Sequence, residues 1–269
     1  MYKYLSLQDT PLEQLASCFN LAFSDYEQPI HFTPESFKYY ITASAVDLSL
    51  SFGAFYNGEL VALILNSYGI YEGKAVVYDA GTGVVPEHRG KKVFSQLFEY
   101  TVQQLHDHSI NKYYLEVLQA NTHAITIYTK KRFHIRREYS VLIASGAETD
   151  TDASINIMQY PDFQSFPTTH SVAPSFEHTT HTISRNPDLY EVRSLDGEAY
   201  CIYAKRNGEI IQMHYNDLNA LKNVMIAITR QYPSAFAKNV DFNYPDVLQM
   251  LKEIGFKEIT KQFEMVREI

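Results

Sequence analysis

The segment Thr82-Gly83-Val84-Val85-Pro86-Glu87-His88-Arg89-Gly90-Lys91-Lys92-Val93-Phe94 places three cations and a glycine in a short loop, where a strand gives way to an apolar-periodic helix. The start of a helix presents backbone N–H groups with no acceptor inside the helix, together with the positive end of its dipole. The two together hold phosphate groups. Here the donors are expected to be the N–H groups of residues 89–94. A second set of side chains can move protons: the carboxylates of Asp79 and of Glu116, which lies in Leu115-Glu116-Val117, and the phenol of Tyr128. Each has a plainer reading. Glu116 can point from a strand to water, Tyr128 can be amphipathic core with its hydroxyl reaching solvent, and Asn121 can cap the helix that follows it. His170, His178 and His181 form a loose cluster without the spacing or carboxylate partners of a metal site, so no metal is expected. Cys18 and Cys201 stand far apart and read as core thiols, not as a disulfide or a zinc site.

The elements that must position these residues follow from periodicity and punctuation. A strand over residues 2–7 precedes a helix over 11–23, which opens at Thr10-Pro11 and carries Leu12, Leu15, Ala16, Phe19 and Phe23 on one stripe. Thr33-Pro34 starts a second helix, to about residue 44. Strands over 48–56 and 60–68 meet at Asn57-Gly58, the dipeptide preferred in tight hairpins. A strand over 74–84 runs into the basic loop, followed by a helix with Phe94, Leu97, Phe98, Val102 and Leu105 at helical spacing. A strand over 112–118, a helix over 122–131 and a strand over 134–143 follow. A meander that ends in alternating strands and helices implies an α/β (α+β) fold with a mixed central sheet flanked by helices.

Two of these segments resemble, in order, the two characteristic regions of the GNAT superfamily of N-acetyltransferases. In the first, a strand ending in Val-x-Pro precedes a loop Arg-Gly-x-Gly-x-Gly/Ala; Arg89-Gly90-Lys91-Lys92-Val93-Phe94 follows it with Lys92 and Phe94 where the family has small residues. In the second, Asn-x-x-Ala-x-x-x-Tyr-x-x-x-Gly-Phe is matched by Asn121, Ala124, Tyr128 and Phe133, with Arg132 in place of the glycine. The resemblance implies that acetyl-CoA is the co-substrate and that an amine accepts the acetyl group by direct attack on the thioester. It also implies that Val84 and Val85 pair with the pantetheine arm, and that Arg89, Gly90, Lys91, Lys92, Val93 and Phe94 cradle the pyrophosphate. Asn121 is implied at the cofactor, and Tyr128 as the acid for the departing thiolate. Glu116 or Asp79 would then take the acceptor's proton. The alternative is an acyl-CoA-binding or regulatory module that keeps the fold without turnover, motivated by Lys92, Phe94 and Arg132.

The 269 residues, 45% of them hydrophobic, exceed one ordinary core, so two domains are expected. Residues 144–185 carry Gly146, Glu148, Asp150, Asp152, Pro161, Pro167 and Pro174 and read as a linker, although Tyr160, Phe163, Phe166 and Phe176 suggest that it packs. Residues 186–269 then repeat the closing order of residues 1–143: strands over 198–205 and 209–215 around Asn207-Gly208, a helix over 217–231, a strand over 235–240, a helix over 245–254 and a strand over 258–266. Asn243, Leu251 and Phe256 echo Asn121, Tyr128 and Phe133, which supports an internal duplication whose second copy is degenerate and carries no Arg-Gly loop. A net charge of −8 argues against a nucleic-acid surface and suits a small cationic acceptor. No apolar run is long enough to span a bilayer, and the first residues lack a secretory apolar stretch, so a cytoplasmic protein is expected.

Overall fold

The computed structural model describes residues 1–25, 31–146, 158–160, 163–164 and 170–269. It divides into two compact units, residues 1–115 with 266–269, and residues 116–265. The sequence domains expected at 1–143, 144–185 and 186–269 follow motif order; compactness divides the chain elsewhere.

The first unit contains β1 (Tyr2–Ser6), α1 (Leu12–Ala22), α2 (Pro34–Ala43), β2 (Phe52–Tyr56), β3 (Glu59–Tyr71), β4 (Lys74–Val84) and α3 (Val93–His106), and takes in the start of β5 (Lys112–Leu118). Its strands lie in the order β1-β2-β3-β4-β5. All neighbours are antiparallel except β4 and β5, which run parallel from Val76↔Lys112 to Asp79↔Leu115. The Asn57-Gly58 turn has both residues at positive φ, as a two-residue hairpin of the right twist requires. Residues 48–50, expected to begin a strand, form a 3-10 turn instead. Asp47 starts it by accepting the Ser49 N–H at 2.9 Å, a local bond that competes with sheet pairing. α1 buries Leu15, Ala16, Cys18, Phe19 and Ala22, and its core includes Phe37, Leu63 and Leu65. Removing each such side chain from water contributes roughly 1.5–3 kcal/mol for the larger apolar residues. α3 buries Val93, Leu97, Phe98 and Leu105, and Phe98 stacks on Tyr113 of β5 at 5.8 Å.

The second unit contains α4 (Thr122–Lys130), β6 (His134–Ala144), β7 (Met158–Tyr160), α5 (Thr180–Ile183), β8 (Tyr190–Leu195), β9 (Ala199–Ala204), β10 (Ile210–Tyr215), α6 (Leu218–Gln231), β11 (Phe236–Asp241), α7 (Pro245–Glu253) and most of β12 (Phe256–Glu268). Strand order is β12-β6-β11-β10-β9-β8-β7. The succession β8-β9-β10-α6-β11-α7-β12 repeats β2-β3-β4-α3-β5-α4-β6, the duplication expected from the sequence. β7 and α5 fall in the stretch expected to be irregular, and β8 was not expected as a strand. Its Tyr-Glu-Val-Arg-Ser-Leu alternation puts Tyr190, Val192 and Ser194 inside. Phe163 and Phe176 are buried, as their composition suggested, whereas Glu148, Asp150, Asp152, Pro161, Phe166 and Pro167 lie outside the described residues. α6 covers β8, β9 and β10 through Leu221, Val224, Met225 and Ile228. Among the described residues no helix is long and apolar enough to cross a membrane.

Candidate active site

In the first unit, β4 leads into the basic loop. Val85 N–H donates to Val61 at 2.9 Å and keeps β4 on β3 to its last residue; Pro86–His88 then makes a 3-10 turn, and Tyr2 OH meets His88 Nδ1 at 2.9 Å. Gly90 (φ 71°) and Lys92 (φ 62°, ψ 14°) both adopt the left-handed conformation, and α3 starts at Val93. The motif that this loop resembles has glycine at the position of Lys92, and the turn here holds a positive φ, which L side chains adopt at a cost. The first-turn amides of α3 precede its first intrahelical bond, from Gln96 N–H to Lys92 O at 3.1 Å. Lys91 and Lys92 are exposed at the mouth of this turn, so anion-attracting charge accompanies the helix dipole.

Arg89 has another task. Its Nε donates to Val84 O at 3.0 Å, one Nη to Ala22 O at 2.8 Å, and the guanidinium grips both oxygens of Asp25 at 2.5 and 3.0 Å. The Asp25 carboxyl is held below its ordinary range chiefly by that hydrogen bond. The arginine thus ties the end of α1 to the loop. Gly83 lets α1 lie this close, because a Cβ there would stand 2.7 Å from Ala22 Cβ and 3.1 Å from the Phe23 ring.

Asp79 sits beside a bulge: Leu65 faces Gly81 and Asn66 faces Asp79, so Ala80 is the extra residue on β4. One Asp79 oxygen accepts the Gly81 N–H at 3.0 Å, the other accepts the Thr82 hydroxyl at 2.7 Å, and Tyr40 OH donates to Ala80 O. Both carboxylate oxygens already serve their own strand, so the geometry makes Asp79 a clamp on the bulge.

In the second unit, Asn121 caps α4, its Oδ1 accepting the Ala124 N–H at 3.0 Å, which is the plainer of its two readings. Tyr128 is half-buried on α4 with its ring edge-on to Phe133 at 5.5 Å. α4 ends where Phe133 N–H returns to Tyr128 O at 3.0 Å, with Arg132 left-handed at φ 67° in the motif's glycine position.

Glu116 is enclosed, its side chain 4% exposed. Lys238 Nζ of β11 stands 3.8 Å from it and 2.5 Å from Glu177, in the 3-10 turn Phe176–His178. His178 Nε2 is 3.8 Å from Glu209, and Gln212 donates to His178 O at 2.6 Å. Burial raises the Glu116 carboxyl above the ordinary glutamate value and Glu177 adds to the rise; Lys238 opposes both. Asn239 also favours the ionised form, although no donor among the described residues comes into hydrogen-bond geometry with either Glu116 oxygen. Burial disfavours the Lys238 charge, but Glu177, Glu116 and Glu209 outweigh it and raise that pKa. Burial would raise Glu209, yet His178 and Lys238 hold it down to about 2. Lys238, Glu177 and Glu209 were not singled out in the sequence. The one signal was the polar pair Lys238-Asn239 inside the otherwise apolar strand pattern of Ala235-Phe236-Ala237-Lys238-Asn239-Val240. His178 serves this cluster, and among the described residues no group of three or more His, Cys, Asp or Glu is arranged to hold a metal ion.

The helix corresponding to α3 in the second unit begins differently. Only Asn216 and Asp217 link β10 to α6, and the Asp217 carboxylate accepts the N–H groups of Asn219 and Ala220 at 3.1 and 3.2 Å. A side-chain anion therefore covers that helix start.

Residues 13–133 match the profile of the acetyltransferase (GNAT) family. No curated protein sequence matches the chain. Among solved structures, a protein from Pyrococcus horikoshii classed as an acetyltransferase is similar with a TM-score of 0.71 at 12% identity, covering 100% of this chain and 89% of its own. A GCN5-related N-acetyltransferase from Sphaerobacter thermophilus gives 0.65 at 12%, over 99% and 95% of the two chains. A tandem GNAT protein from the clavulanic acid biosynthesis pathway gives 0.63 at 10%, over 100% and 98%. At these identities the likeness is one of fold.

Proposed function

We propose, from the match of residues 13–133 to the GNAT acetyltransferase profile, that the protein is an N-acetyltransferase that moves the acetyl group of acetyl-CoA to a small amine. The observation that carries this reading is the turn after β4, where left-handed Gly90 and Lys92 deliver the N-terminus of a 14-residue helix beside two exposed lysines. Backbone amides and dipole there suit a pyrophosphate. Acetyl-CoA supplies an activated thioester. The neutral amine forms the new N–C bond as the C–S bond breaks, a strand amide at Val84 stabilises the developing oxyanion, and the departing sulfur takes a proton from Tyr128. Glu116 receives the proton that the acceptor ammonium must lose. Tyr128 and Glu116 enter this reading through the family motif they complete, and Asp79 enters it as the clamp on the strand that carries Val84.

The second unit is read as a degenerate copy that takes no second CoA, since Asp217 already occupies the start of α6. Free thiols at Cys18 and Cys201 and the use of acetyl-CoA fit a cytosolic setting. An acyl-CoA-binding module without turnover is the second reading, favoured by the enclosure of Glu116.

Calorimetric titration with acetyl-CoA tests the proposal, with Lys91→Glu, Lys92→Glu as the control. Arg89 is left intact, because changing it would also release Asp25 and Ala22. Micromolar binding at one site per chain, lost in the double variant, is the expected result; no binding at millimolar acetyl-CoA refutes it. Thiol release with a panel of primary amines, compared between wild type and Tyr128→Phe, separates the enzyme from the non-catalytic module.

A further inference from the structure

Three carboxylates, Glu177, Glu116 and Glu209, act on Lys238, and the backbone is bent to put it among them. β11 pairs with β6 at Ala237↔Leu142 and again at Val240↔Ser140, so Lys238 and Asn239 together oppose the single residue Val141. Asn239 takes up the bulge with φ 59°, a left-handed conformation that asparagine tolerates better than most residues. Bulges of this kind redirect a side chain, and they recur beside active sites. The side chain redirected here is an ammonium that touches Glu177 at 2.5 Å and stands 3.8 Å from Glu116. Among the described residues Lys238 is the nearest cation to Glu116: β11 presents it with Asn239, and the 3-10 turn presents Glu177, which opposes the Glu116 charge, and His178, whose favourable effect is smaller. Glu209, which precedes β10, acts on Lys238 and pairs with His178. The Lys238 side chain is 31% exposed while that of Glu116 is 4% exposed, so the lysine is the member of the pair that reaches solvent.

We propose that Lys238 is a positioning residue for Glu116: its ammonium, anchored on Glu177 and aimed by the β11 bulge, keeps the enclosed Glu116 carboxylate ionised and able to take the acceptor's proton. The inference rests on the reading of Glu116 as the base. Two oxygens without a hydrogen-bond donor would otherwise favour the protonated acid, which cannot accept a proton. Glu177 competes with Glu116 for the same ammonium and repels its charge. Removing Lys238 and removing Glu177 must therefore move Glu116 in opposite directions, a signature that a merely structural salt bridge lacks.

The test titrates the carboxyl carbons of 13C-labelled protein by NMR, with Glu116→Gln to assign the resonance, alongside the pH profile of kcat/KM. Lys238→Met should move the Glu116 midpoint and the acid limb up by at least one pH unit, lowering kcat/KM about tenfold on the acid limb with recovery at alkaline pH. Lys238→Arg should restore the wild-type profile, and Glu177→Gln should move both downward. A Glu116 midpoint unmoved in Lys238→Met, or moved the same way by both substitutions, overturns the inference. Should Lys238→Met fail to fold, Glu177→Gln retains the Lys238 charge and an amide acceptor for it, and decides the matter by its direction alone. The NMR titration needs no turnover. If Glu116→Gln keeps full activity, the base assignment falls, and the Lys238–Glu116 coupling is still read separately.

Discussion

Replacing Lys92 and Arg132 by glycine should stabilise the protein, although both changes remove a charged side chain. Both residues sit where the family motif carries glycine, and both hold left-handed backbone, φ 62° and φ 67°. A non-glycine residue pays about 1–2 kcal/mol for that conformation. Glycine returns about 0.5–1 kcal/mol of the gain through its larger backbone entropy in the unfolded chain. The net expectation is about 0.5–1 kcal/mol at each site. Neither side chain makes a hydrogen bond or ion pair among the described residues, so little is lost in exchange. The two positions lie in different compact units and share no partner, so their effects should add to about 1–2 kcal/mol. For a chain of this size that corresponds to a rise in Tm of roughly 2–8 °C. Thermal unfolding followed by circular dichroism measures it, with Lys92→Ala as the control that removes the same charge and keeps the strained φ. If Lys92→Gly is no more stable than Lys92→Ala, backbone strain is not what distinguishes this turn and the reasoning fails.

Asp79→Ala should cost about 2–3 kcal/mol, because the Gly81 amide and the Thr82 hydroxyl lose a charged acceptor. It should also slow acetyl transfer without moving the pH profile, whereas loss of the acid limb would restore Asp79 as a base. Glu264 receives Arg136 at 2.6 Å, Arg137 at 2.7 Å and the Tyr139 hydroxyl at 2.9 Å, and is held below the ordinary glutamate value although burial pushes the other way. A carboxyl depressed in the folded state stabilises the fold above its unfolded pKa and loses that contribution as pH falls through the folded one. Tm should therefore fall on acidification below the ordinary glutamate range. Glu264→Gln should flatten that dependence while costing about 3–5 kcal/mol at neutral pH, since Arg136 and Arg137 both lose this carboxylate and Arg137 keeps the longer pair with Asp241 at 3.5 Å; an unchanged acid slope in the variant would show that other carboxylates set it.

The elements around the cofactor loop were legible because local rules agree there. Asn57-Gly58 fixed a hairpin, Thr33-Pro34 a helix start, and the stripe of Leu97, Phe98 and Leu105 the face that α3 turns inward. Where a local rule met a competing one, reading failed. Residues 48–50 have strand composition, but Asp47 offers the backbone a nearer acceptor and a 3-10 turn results. The contacts of Arg89 and Asp79 were hidden for a similar reason. Sequence gives residue type and spacing, and a basic side chain in an anion loop looks like a ligand until Asp25 and Ala22, from another element, are seen to hold it.

The Glu116 cluster marks the deeper limit, and it explains why a duplicated chain can differ from either copy read alone. Glu116 comes from the first copy in sequence, but every charge that acts on it, Lys238, Glu177 and His178, comes from the linker or the second copy. No periodicity links a glutamate in one repeat to a lysine in the other. In the second unit Asp217 closes the start of α6, and on the proposed reading as a degenerate copy its corresponding strand is free for another use. β11 stands where β5 stands in the first copy, and its bulge turns Lys238 towards Glu116. On the proposed reading, a strand that in one repeat carries the proton acceptor carries in the other the cation that governs it. The degenerate half would then matter to catalysis through charge alone, which is the property that Lys238→Met and Glu177→Gln separate by their opposite signs.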